Sequence, residues 1–536
     1  MNAFERLSPF IQDFIYRKGW QELRPIQLAA CEAIFHSKEH LLLSSGTASG
    51  KTEAAFLPVL TLLGEDPPRS VGILYVSPLK ALINDQFVRL APLLEEGKIP
   101  VCKWHGDASR GGKQRVLRSP AGVVQITPES LESLLRRPKD CQRLFCDLRF
   151  IIIDEVHHFM ANERGMQLQC LLERLERLAC CQPRRIGLSA TVGDATQAKA
   201  WLCAGSARGC IHPKAPDARR RLQIWMEYFE REEEPDFDDR AALLPREDGK
   251  LAQFLFAQTL GKKSIIFTNS RMEAEGTIAG LKRIAQERKA PNVYRVHHGS
   301  ISAALREEAE REMKQGNRPF VTAATLTLEL GLDIGDLDRV LQMGAPVSVS
   351  SLVQRIGRCG RQGQVAQLLF AFQEDAAELP EDPLNSFHWG MIKAIAMLEL
   401  YLGERWIEPT TENRFPFGIL YHQTMSVLLA NGGVLSPKRL AQEVLTLHAF
   451  RYITREDFQC LLRHLIEIGH LQRGETGELM IGLEAEPIIT GHDFLSVFTT
   501  SQEYPVRYNG KEIGILNAAL QPGERIVLAG QSWECI

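Results

Sequence analysis

The sequence contains no apolar run long enough to span a membrane, and its first residues, Met1–Arg6, lack a basic start followed by an apolar core. Its 12 cysteines are scattered and never form the paired C-x-x-C arms of a zinc or iron–sulfur site. We therefore expect a cytoplasmic protein without membrane association, whose cysteines are reduced and mostly buried as small apolar residues.

An excess of either charge is also lacking. The 63 Lys and Arg residues nearly balance the 66 Asp and Glu residues, so any nucleic-acid site must be a local basic surface on a near-neutral protein. The apolar fraction of 44% and the charged fraction of 24% are typical of a globular protein. At 536 residues the chain is too long for one hydrophobic core, so we expect several domains.

Two series of short apolar segments, each followed by helical patterns, predict an α/β fold with two tandem doubly wound parallel sheets. The first series comprises His40–Ser44, Gly72–Val76, Val123–Ile126, Phe150–Ile153 and Arg185–Leu188. The second series comprises Ser264–Phe267, Val293–His297, Phe320–Ala323, Arg339–Gln342 and Gln367–Ala371. The corresponding domains are predicted at residues 1–210 and 211–385.

From about residue 386 the pattern changes to amphipathic helices. Ser436-Pro437 predicts a capped helix start, Thr454–Asp457 resembles a capping box, and Gln472–Glu478 is typical of a turn between short strands. These features predict a helical linker and winged helix at residues 386–490, with the winged helix at about 415–490. Strand-like alternation then predicts the start of a β-rich, barrel-like domain at 491–536.

The most informative segment, Ser45–Thr52, lies between an apolar strand and a helical pattern. Its glycines let backbone N–H groups point at phosphates, Lys51 supplies a positive charge, and the Thr52 hydroxyl is a ligand for Mg²⁺. The strict pattern has glycine where this chain has Ser45. This departure is minor, because Gly50–Thr52 makes the close phosphate contacts. The segment predicts a site for ATP formed by Gly46, Thr47, Ala48, Ser49, Gly50, Lys51 and Thr52.

Asp154 and Glu155 follow the apolar strand Phe150–Ile153. Both carboxylates are therefore expected at the carboxyl end of that strand, where open α/β sheets bind their ligands. We predict that Asp154 holds Mg²⁺ together with Thr52 and that Glu155 polarises the attacking water.

Three further segments extend this predicted site. The Gln27 side-chain amide can pair with the adenine edge. Ser189–Thr191 can hydrogen-bond to the acidic residues. In the second domain, Gln354–Arg361 predicts the beginning of a helix on which Arg358 and Arg361 share one face and reach the γ-phosphate across a domain cleft.

In chain order these segments resemble the motif set of the superfamily 2 helicases of the DEAD/DEAH-box (DEVH) type. The matching segments are Gln27, Gly46–Thr52, Ser77–Leu82, Thr127–Glu129, Asp154–His157, Ser189–Thr191, Ile266–Arg271, Glu329–Asp333 and Gln354–Arg361. Within that superfamily, Gly187–Val192, Leu328–Gly335 and Gln354–Arg358 look like the Lhr (large helicase-related) group. The later segments Pro437–Gln442 and Asp493–Phe498 also resemble that group.

The resemblance implies two RecA-like domains and an ATP-driven translocase that moves 3′ to 5′ along one nucleic-acid strand and separates duplexes or hybrids. Its catalytic residues are Lys51, Asp154, Glu155, Gln354, Arg358 and Arg361. Gly331 and Asp333 match the position expected to touch the ribose of the nucleotide. The strand contacts carried over by resemblance are Ser77, Pro78, Leu79, Lys80, Thr127, Pro128, Glu129, Asn269, Ser270, Arg271, His298, Gly299 and Thr325.

We expect single-stranded DNA as the partner, in DNA repair or genome defence, together with a nuclease or another repair or defence protein. Contacts to the phosphate backbone do not report the sugar, so an RNA helicase is an open alternative. A second alternative is an ATP-gated nucleic-acid clamp without productive unwinding. The intact residues Glu155, Gln354, Arg358 and Arg361 argue against the clamp.

Overall fold

A computed structural model describes most of the chain: residues 3–46, 49–160, 162–214, 221–231, 249–314, 318–329, 331, 334–335, 337–360, 365–375, 387–497, 504–516 and 519–536. The chain divides into two compact units, each made of two separate stretches of sequence. The first unit contains Met1–Asp217 and Pro409–Thr500, and the second contains Ala218–Glu408 and Ser501–Ile536.

The first unit is built around a seven-stranded parallel sheet with the strand order β3-β4-β2-β5-β6-β1-β7. Its strands are β1 (His40–Ser44), β2 (Ile73–Val76), β3 (Val101–Trp104), β4 (Val123–Ile126), β5 (Phe150–Ile153), β6 (Arg184–Ser189) and β7 (Cys210–Ile211). The five predicted strands of this domain are confirmed, and β3 and β7 are additional.

Helices cover both faces of this sheet. They are α1 (Pro9–Arg17), α2 (Pro25–His36), α3 (Lys51–Glu65), α4 (Lys80–Glu96), α5 (Arg110–Arg118), α6 (Pro128–Leu135), α7 (Pro138–Phe145), α8 (Val156–Met160), α9 (Glu163–Ala179) and α10 (Ala195–Cys203). Neighbouring residues of β5 belong to different hydrophobic cores, with Ile152 in one and Ile151 and Ile153 in the other. This alternation explains why β5 is wholly apolar, since a parallel strand is buried on both faces.

The second unit contains a six-stranded parallel sheet with the order β10-β11-β9-β12-β13-β8. Its strands are β8 (Leu222–Arg231), β9 (Lys263–Phe267), β10 (Tyr294–His297), β11 (Phe320–Ala324), β12 (Arg339–Met343) and β13 (Ala366–Asp375). Its helices are α11 (Lys250–Thr259), α12 (Arg271–Glu287), α13 (Ala303–Lys314), α14 (Val349–Ile356) and α15 (Trp389–Glu404), with a 3₁₀ turn at Leu326–Leu328. The prediction of two tandem doubly wound sheets is therefore confirmed.

Residues 409–500 return to the first unit as helices and a small antiparallel sheet of order β14-β16-β15. The elements are α16 (Phe417–Ala430), β14 (Val434–Leu435), α17 (Pro437–Leu445), α18 (Arg455–Glu467), β15 (Leu471–Arg473), β16 (Leu479–Ile481) and α19 (Glu486–Thr490), with 3₁₀ turns at His448–Phe450 and His492–Leu495. Both predicted caps are present, because the Ser436 hydroxyl accepts from Arg439 N and Thr454 and Asp457 form a capping box.

The last residues form two antiparallel hairpins in the second unit. The first consists of β17 (Tyr504–Tyr508) and β18 (Lys511–Leu516), and the second of β19 (Arg525–Leu528) and β20 (Gln531–Glu534). Within the described ranges no helix combines the length and the apolar character needed to cross a membrane.

Candidate nucleotide site and nucleic-acid contacts

The predicted phosphate loop connects β1 to α3. Gly50 caps α3 with a φ of 84°, a conformation that favours glycine. A Cβ atom at Gly50 would also lie 2.8 Å from Nε2 of Gln27, so a larger residue would displace the Gln27 amide. Lys51 Nζ donates to the carbonyl oxygens of Ser45 at 2.6 Å and Gly46 at 2.9 Å. The loop thus holds the lysine ammonium beside its own backbone, while Thr47 and Ala48 lie outside the described residues.

Gln27 lies against this loop. It is buried in the first turn of α2, and its Oε1 accepts from the backbone N–H of Arg24 at 2.9 Å. The structure therefore brings the predicted adenine-binding amide next to Gly50 at the beginning of α3. Its contact with adenine remains a prediction.

The acidic residues lie at the carboxyl end of β5, as expected. Asp154 is almost fully buried, with Oδ1 accepting from Glu155 N at 3.0 Å and Oδ2 accepting from the Tyr75 hydroxyl. Burial, reinforced by the neighbouring Glu155 charge, raises the pKa of Asp154. Glu155 has a φ of 50°, a left-handed conformation that is rare for residues other than glycine and is concentrated at functional sites.

Glu155 lies close to a hydrogen bond between His157 and the end of β6. Glu155 Oε2 lies 3.4 Å from Nδ1 of His157, and this nitrogen lies 2.8 Å from Oγ of Ser189. The Ser189 hydroxyl donates to the carbonyl of Thr191 at 2.6 Å, so its oxygen accepts from His157. Burial, followed by the Lys51 charge, lowers the pKa of His157 to about 3, so the ring is neutral at neutral pH. Ser189 therefore reaches the motif Asp154–His157 through a hydrogen bond with His157 and not through a direct bond to either carboxylate.

The residues at this edge fit a nucleoside triphosphate with its magnesium ion. Thr52 and Asp154, the two predicted Mg²⁺ ligands, are both buried. Two buried oxygen atoms, Ser49 Oγ and Glu155 Oε2, have no hydrogen-bond partner within the described part of the chain. Buried polar atoms are normally paired, so these two suit a site completed by a polar ligand.

Sequence reasoning missed two residues of the site. Tyr75 stands in the otherwise apolar strand β2, and its hydroxyl binds Asp154 from 79 positions away in sequence. Arg89 holds both oxygens of Glu53, the neighbour of Thr52, at 2.7 Å each. The signal for Tyr75 was present, because a hydroxyl in a fully buried strand needs a hydrogen-bond partner.

The predicted nucleic-acid contacts of the first unit follow the neighbouring strands β2 and β4. Ser77–Lys80 follows β2 and leads into α4, and Thr127–Glu129 follows β4, with Thr127 capping α6. Lys80 is exposed and pairs with Asp107 at 3.0 Å. Glu129 binds Arg164 through two hydrogen bonds of 2.7 and 3.1 Å. The structure therefore brings both segments to one edge, where helix N-termini favour phosphate groups.

The second unit repeats this arrangement on three neighbouring strands, β10, β11 and β9. Asn269–Arg271 follows β9, His298-Gly299 follows β10, and Thr325 follows β11. Asn269 Nδ2 donates to the carbonyl of Ala345 at 2.8 Å. Arg271 is exposed, and its Nη1 donates to the Ser300 hydroxyl at 2.5 Å. These contact residues therefore also meet at the carboxyl ends of parallel strands.

The prediction that Gln354–Arg361 begins a helix is wrong. Helix α14 begins after Ser348, whose hydroxyl accepts from Ser351 N at 3.0 Å, and it ends at Gly357. Gly360 then adopts a φ of 71°. Arg358 follows Gly357, the C-cap of α14, so it lies beyond the helix and not on a helix face.

Arg358 is buried in the second unit, where its Nη2 donates to the backbone carbonyl of Glu329 at 2.5 Å. The Glu329 side chain accepts from Arg355 Nε at 2.6 Å and from the Ser351 hydroxyl at 2.7 Å. Gln354, on α14, lies 3.4 Å from the Ser350 hydroxyl. Gly331 follows this region and is half-buried, whereas Asp333 and Arg361 lie outside the described residues.

Two parallel sheets, one with a phosphate loop and an acidic strand end, define the class of proteins with tandem RecA-like helicase domains. Two family models match the chain: DEAD/DEAH box helicase over residues 24–199 and helicase conserved C-terminal domain over residues 248–363. The chain belongs to superfamily 2 of the helicases, and its resemblance is to the Lhr group.

The ATP-dependent helicase Lhr-Core of Methanothermobacter thermautotrophicus is 33% identical over 377 residues, which are 66% of this chain and 42% of that protein. The structure of Mycobacterium smegmatis helicase Lhr bound to ssDNA and AMP-PNP is similar to this chain, with a TM-score of 0.74 and 27% identity. The match covers 90% of this chain and 62% of the Lhr chain. The structure of the DUF1998 helicase MrfA bound to DNA has the same fold, with a TM-score of 0.72 at 20% identity over 99% of this chain and 71% of its own. This chain thus spans less than half the length of the Lhr-Core protein.

Proposed function

We propose that this chain is an ATP-hydrolysing helicase that moves 3′ to 5′ along a nucleic-acid strand. The observation that carries the proposal is the edge of the first sheet, where Lys51, Asp154 and Glu155 follow β1 and β5 and the His157–Ser189 hydrogen bond links them to β6. This is the residue set that phosphoryl transfer requires: a lysine, a metal ligand and a group that orients water.

Each residue then has a defined task. Lys51 and the N–H groups of the phosphate loop hold the triphosphate, and Thr52 and Asp154 hold the magnesium ion. When bound, MgATP supplies the phosphoryl group and the cation that neutralises its charge. Glu155 orients the attacking water, and Gln27 binds the adenine. Gln354, Arg358 and Arg361 act on the γ-phosphate, and Gly331 and Asp333 on the ribose.

We propose single-stranded DNA as the preferred strand. The contact residues of each unit lie at strand ends and helix starts, which suit phosphate and sugar rather than base edges. Binding should therefore tolerate any sequence and weaken with salt. The solved Lhr structure was determined with ssDNA, which supports DNA over RNA.

The proposed domains are 1–210, 211–385, 386–490 and 491–536. Helices α16–α18 followed by the β15–β16 hairpin support a winged helix in the third of these. A role in DNA repair or genome defence, a partner protein and a cytoplasmic location remain predictions from the sequence.

The test is an ATPase assay of the full chain with single-stranded DNA, with single-stranded RNA and without polymer. We expect the largest stimulation with DNA, and displacement of a strand from duplexes with a 3′ overhang but not a 5′ overhang. Equal ATPase rates in all three conditions would contradict the translocase. Stimulation by RNA alone would favour the RNA helicase, and stimulation by DNA without displacement would favour the clamp.

A further inference from the structure

The turn of the last hairpin has an unusual backbone. Ala529 and Gly530, the two residues between β19 and β20, have φ values of 57° and 68°. A two-residue hairpin turn of type I′ needs positive φ at both positions, a conformation that is strained for alanine. Ala529 is therefore the strained residue of this turn.

Helix α12 holds it through two side chains of opposite charge. Glu275 is buried, with Oε1 accepting from Ala529 N at 2.7 Å and Oε2 accepting from Gly530 N at 2.5 Å. Two helical turns later, Lys282 Nζ donates to the carbonyl oxygens of both turn residues at 3.2 Å. The fit is tight, because a Cβ atom at Gly530 would lie 2.7 Å from the Ile278 side chain.

The same carboxylate also holds His298, one of the predicted nucleic-acid contacts. Nδ1 of His298 accepts from Ser300 N at 3.2 Å, so the proton of the ring lies on Nε2. Nε2 lies 2.9 Å from Oε1 of Glu275 and donates to it. Glu275 therefore accepts from three donors that belong to two separate parts of the second unit.

The first hairpin binds the segment that follows His298. Ile515 N donates to the Ser300 carbonyl at 2.7 Å, and Ser302 N donates to the Ile513 carbonyl at 3.1 Å. Gly514 makes this pairing possible, because a Cβ atom there would lie 2.4 Å from the Ser300 carbonyl oxygen. Arg271, another predicted contact, donates to the hydroxyl of the same Ser300.

We propose that Glu275 is a positioning residue that couples the two C-terminal hairpins to the nucleic-acid contacts Arg271, His298 and Gly299. Docking of the hairpins fixes the backbone from His298 to Ser302 on one side, and Glu275 fixes the His298 ring on the other. Release of the hairpins leaves these contact residues less ordered. Ordering them when the nucleic acid binds then costs free energy, which weakens binding. This inference rests on the proposed function as a nucleic-acid motor.

Two variants of the full chain test the coupling from opposite sides. Glu275→Gln replaces an acceptor of three hydrogen bonds with an amide whose NH₂ group faces donors. Gly530→Ala pushes the turn off α12 without changing Glu275 or His298. Glu287→Gln, at an exposed glutamate at the end of the same helix, is the matched control.

Three measurements are needed: the Kd for a fluorescent single-stranded DNA, the DNA concentration that half-stimulates the ATPase, and tryptic cleavage after Arg507, Lys511 and Arg525. We expect both variants to be cleaved faster at these sites and to bind DNA more weakly, about tenfold for Glu275→Gln and less for Gly530→Ala. The half-stimulating DNA concentration should rise in parallel, with little change in the maximal rate. The Glu287→Gln protein should behave as the wild type.

Faster cleavage in both variants with unchanged DNA affinity would overturn the coupling and leave Glu275 with a purely structural role. Unchanged cleavage in both variants would overturn the docking role itself. If the wild-type protein neither binds DNA nor responds to it, the proposed function fails, and the cleavage measurement still decides whether Glu275 docks the hairpin.

Discussion

The carboxyl ends of the strands carry different chemistry in the two sheets. In the first sheet this edge holds a half-buried lysine, two buried adjacent carboxylates and a neutral histidine. In the second sheet the described edge holds the exposed Asn269 and Arg271 and the buried His298. The two folds are alike, so the chemistry of each edge is set by its side chains and not by the sheet.

The two units also attach their C-terminal segments differently, although each uses a buried glutamate. In the first unit, Glu132 binds side chains: Arg174 of α9, and Gln423 and Ser426 of α16. In the second unit, Glu275 binds mainly the backbone of a single turn. Residues 409–500 also share a hydrophobic core with Cys170 of α9, so we expect them to detach only when that core unfolds.

We expect the largest loss of activity from a substitution at the carboxyl edge of the first sheet. Glu155→Gln removes the carboxylate that we propose orients the attacking water, so we expect ATP hydrolysis to fall about 100-fold or more while DNA binding persists. Steady-state ATPase rates and DNA anisotropy measure the two properties. Glu95→Gln, at an exposed position of α4, serves as the control. An unchanged rate would remove the role assigned to Glu155.

The next effect concerns the attachment of α16. Glu132→Gln leaves Arg174 buried without its counter-charge, which costs about 3 kcal/mol of stability. We expect faster hydrogen exchange in α16, measured by mass spectrometry, and no change for Glu467→Gln, an exposed control on α18. Equal protection of α16 in wild type and Glu132→Gln would contradict a stabilising role for this network.

The contribution of Glu132 should also depend on pH. Burial alone would raise the pKa of Glu132, but the charges of Arg174 and His422 and two hydrogen bonds outweigh it and lower the pKa to about 2. A lowered folded-state pKa gives stability that is complete above the ordinary value of 4.5 and is lost as the pH falls towards 2. The difference between wild type and Glu132→Gln should therefore shrink below about pH 4.5.

The sequence predicted what depends on local pattern. Central strands such as β5 are continuous apolar runs, and the phosphate loop and acidic residues are short contiguous motifs. The missed strands β3, β7 and β8 lie at sheet edges, where exposed positions interrupt the apolar signal. The helix predicted to begin at Gln354 is wrong because the helix begins earlier, at Val349, and ends before Gly357, its C-cap.

What the sequence could not predict are hydrogen bonds between distant positions. Tyr75 and Asp154 are 79 residues apart, Glu132 and Gln423 are 291 apart, and Glu275 and Ala529 are 254 apart. No local pattern encodes such pairs, because each depends on how two elements pack. In the sequence, Glu275 in particular looks like any other acidic residue on an amphipathic helix.

A further prediction concerns the edge of the second sheet. Arg271→Ala removes an exposed guanidinium beside Ser300, so we expect DNA binding to weaken about tenfold. The slope of log Kd against log salt concentration should fall by about 0.7, the value for one phosphate contact to a single strand. Arg283→Ala, on an exposed position of the same helix, should change neither quantity. An unchanged salt slope would show that Arg271 does not contact a phosphate.

We expect the smallest effect from a substitution that tests how Asp154, at the edge of the first sheet, is oriented. Tyr75→Phe keeps the ring packed near Phe56, with centroids 6.0 Å apart, but removes the hydroxyl that orients Asp154. Asp154 is the proposed Mg²⁺ ligand, and partners that orient a metal ligand tune metal affinity, so we expect the Mg²⁺ concentration for half-maximal nucleotide binding to rise about three- to tenfold. Fluorescent-nucleotide titrations at varied Mg²⁺ measure this without turnover, and Tyr16→Phe, an exposed tyrosine on α1, is the control. If Tyr75→Phe and wild type share one Mg²⁺ midpoint, the hydroxyl only satisfies a buried carboxylate, and Asp154 is oriented by the hydrogen bond that its Oδ1 accepts from Glu155 N.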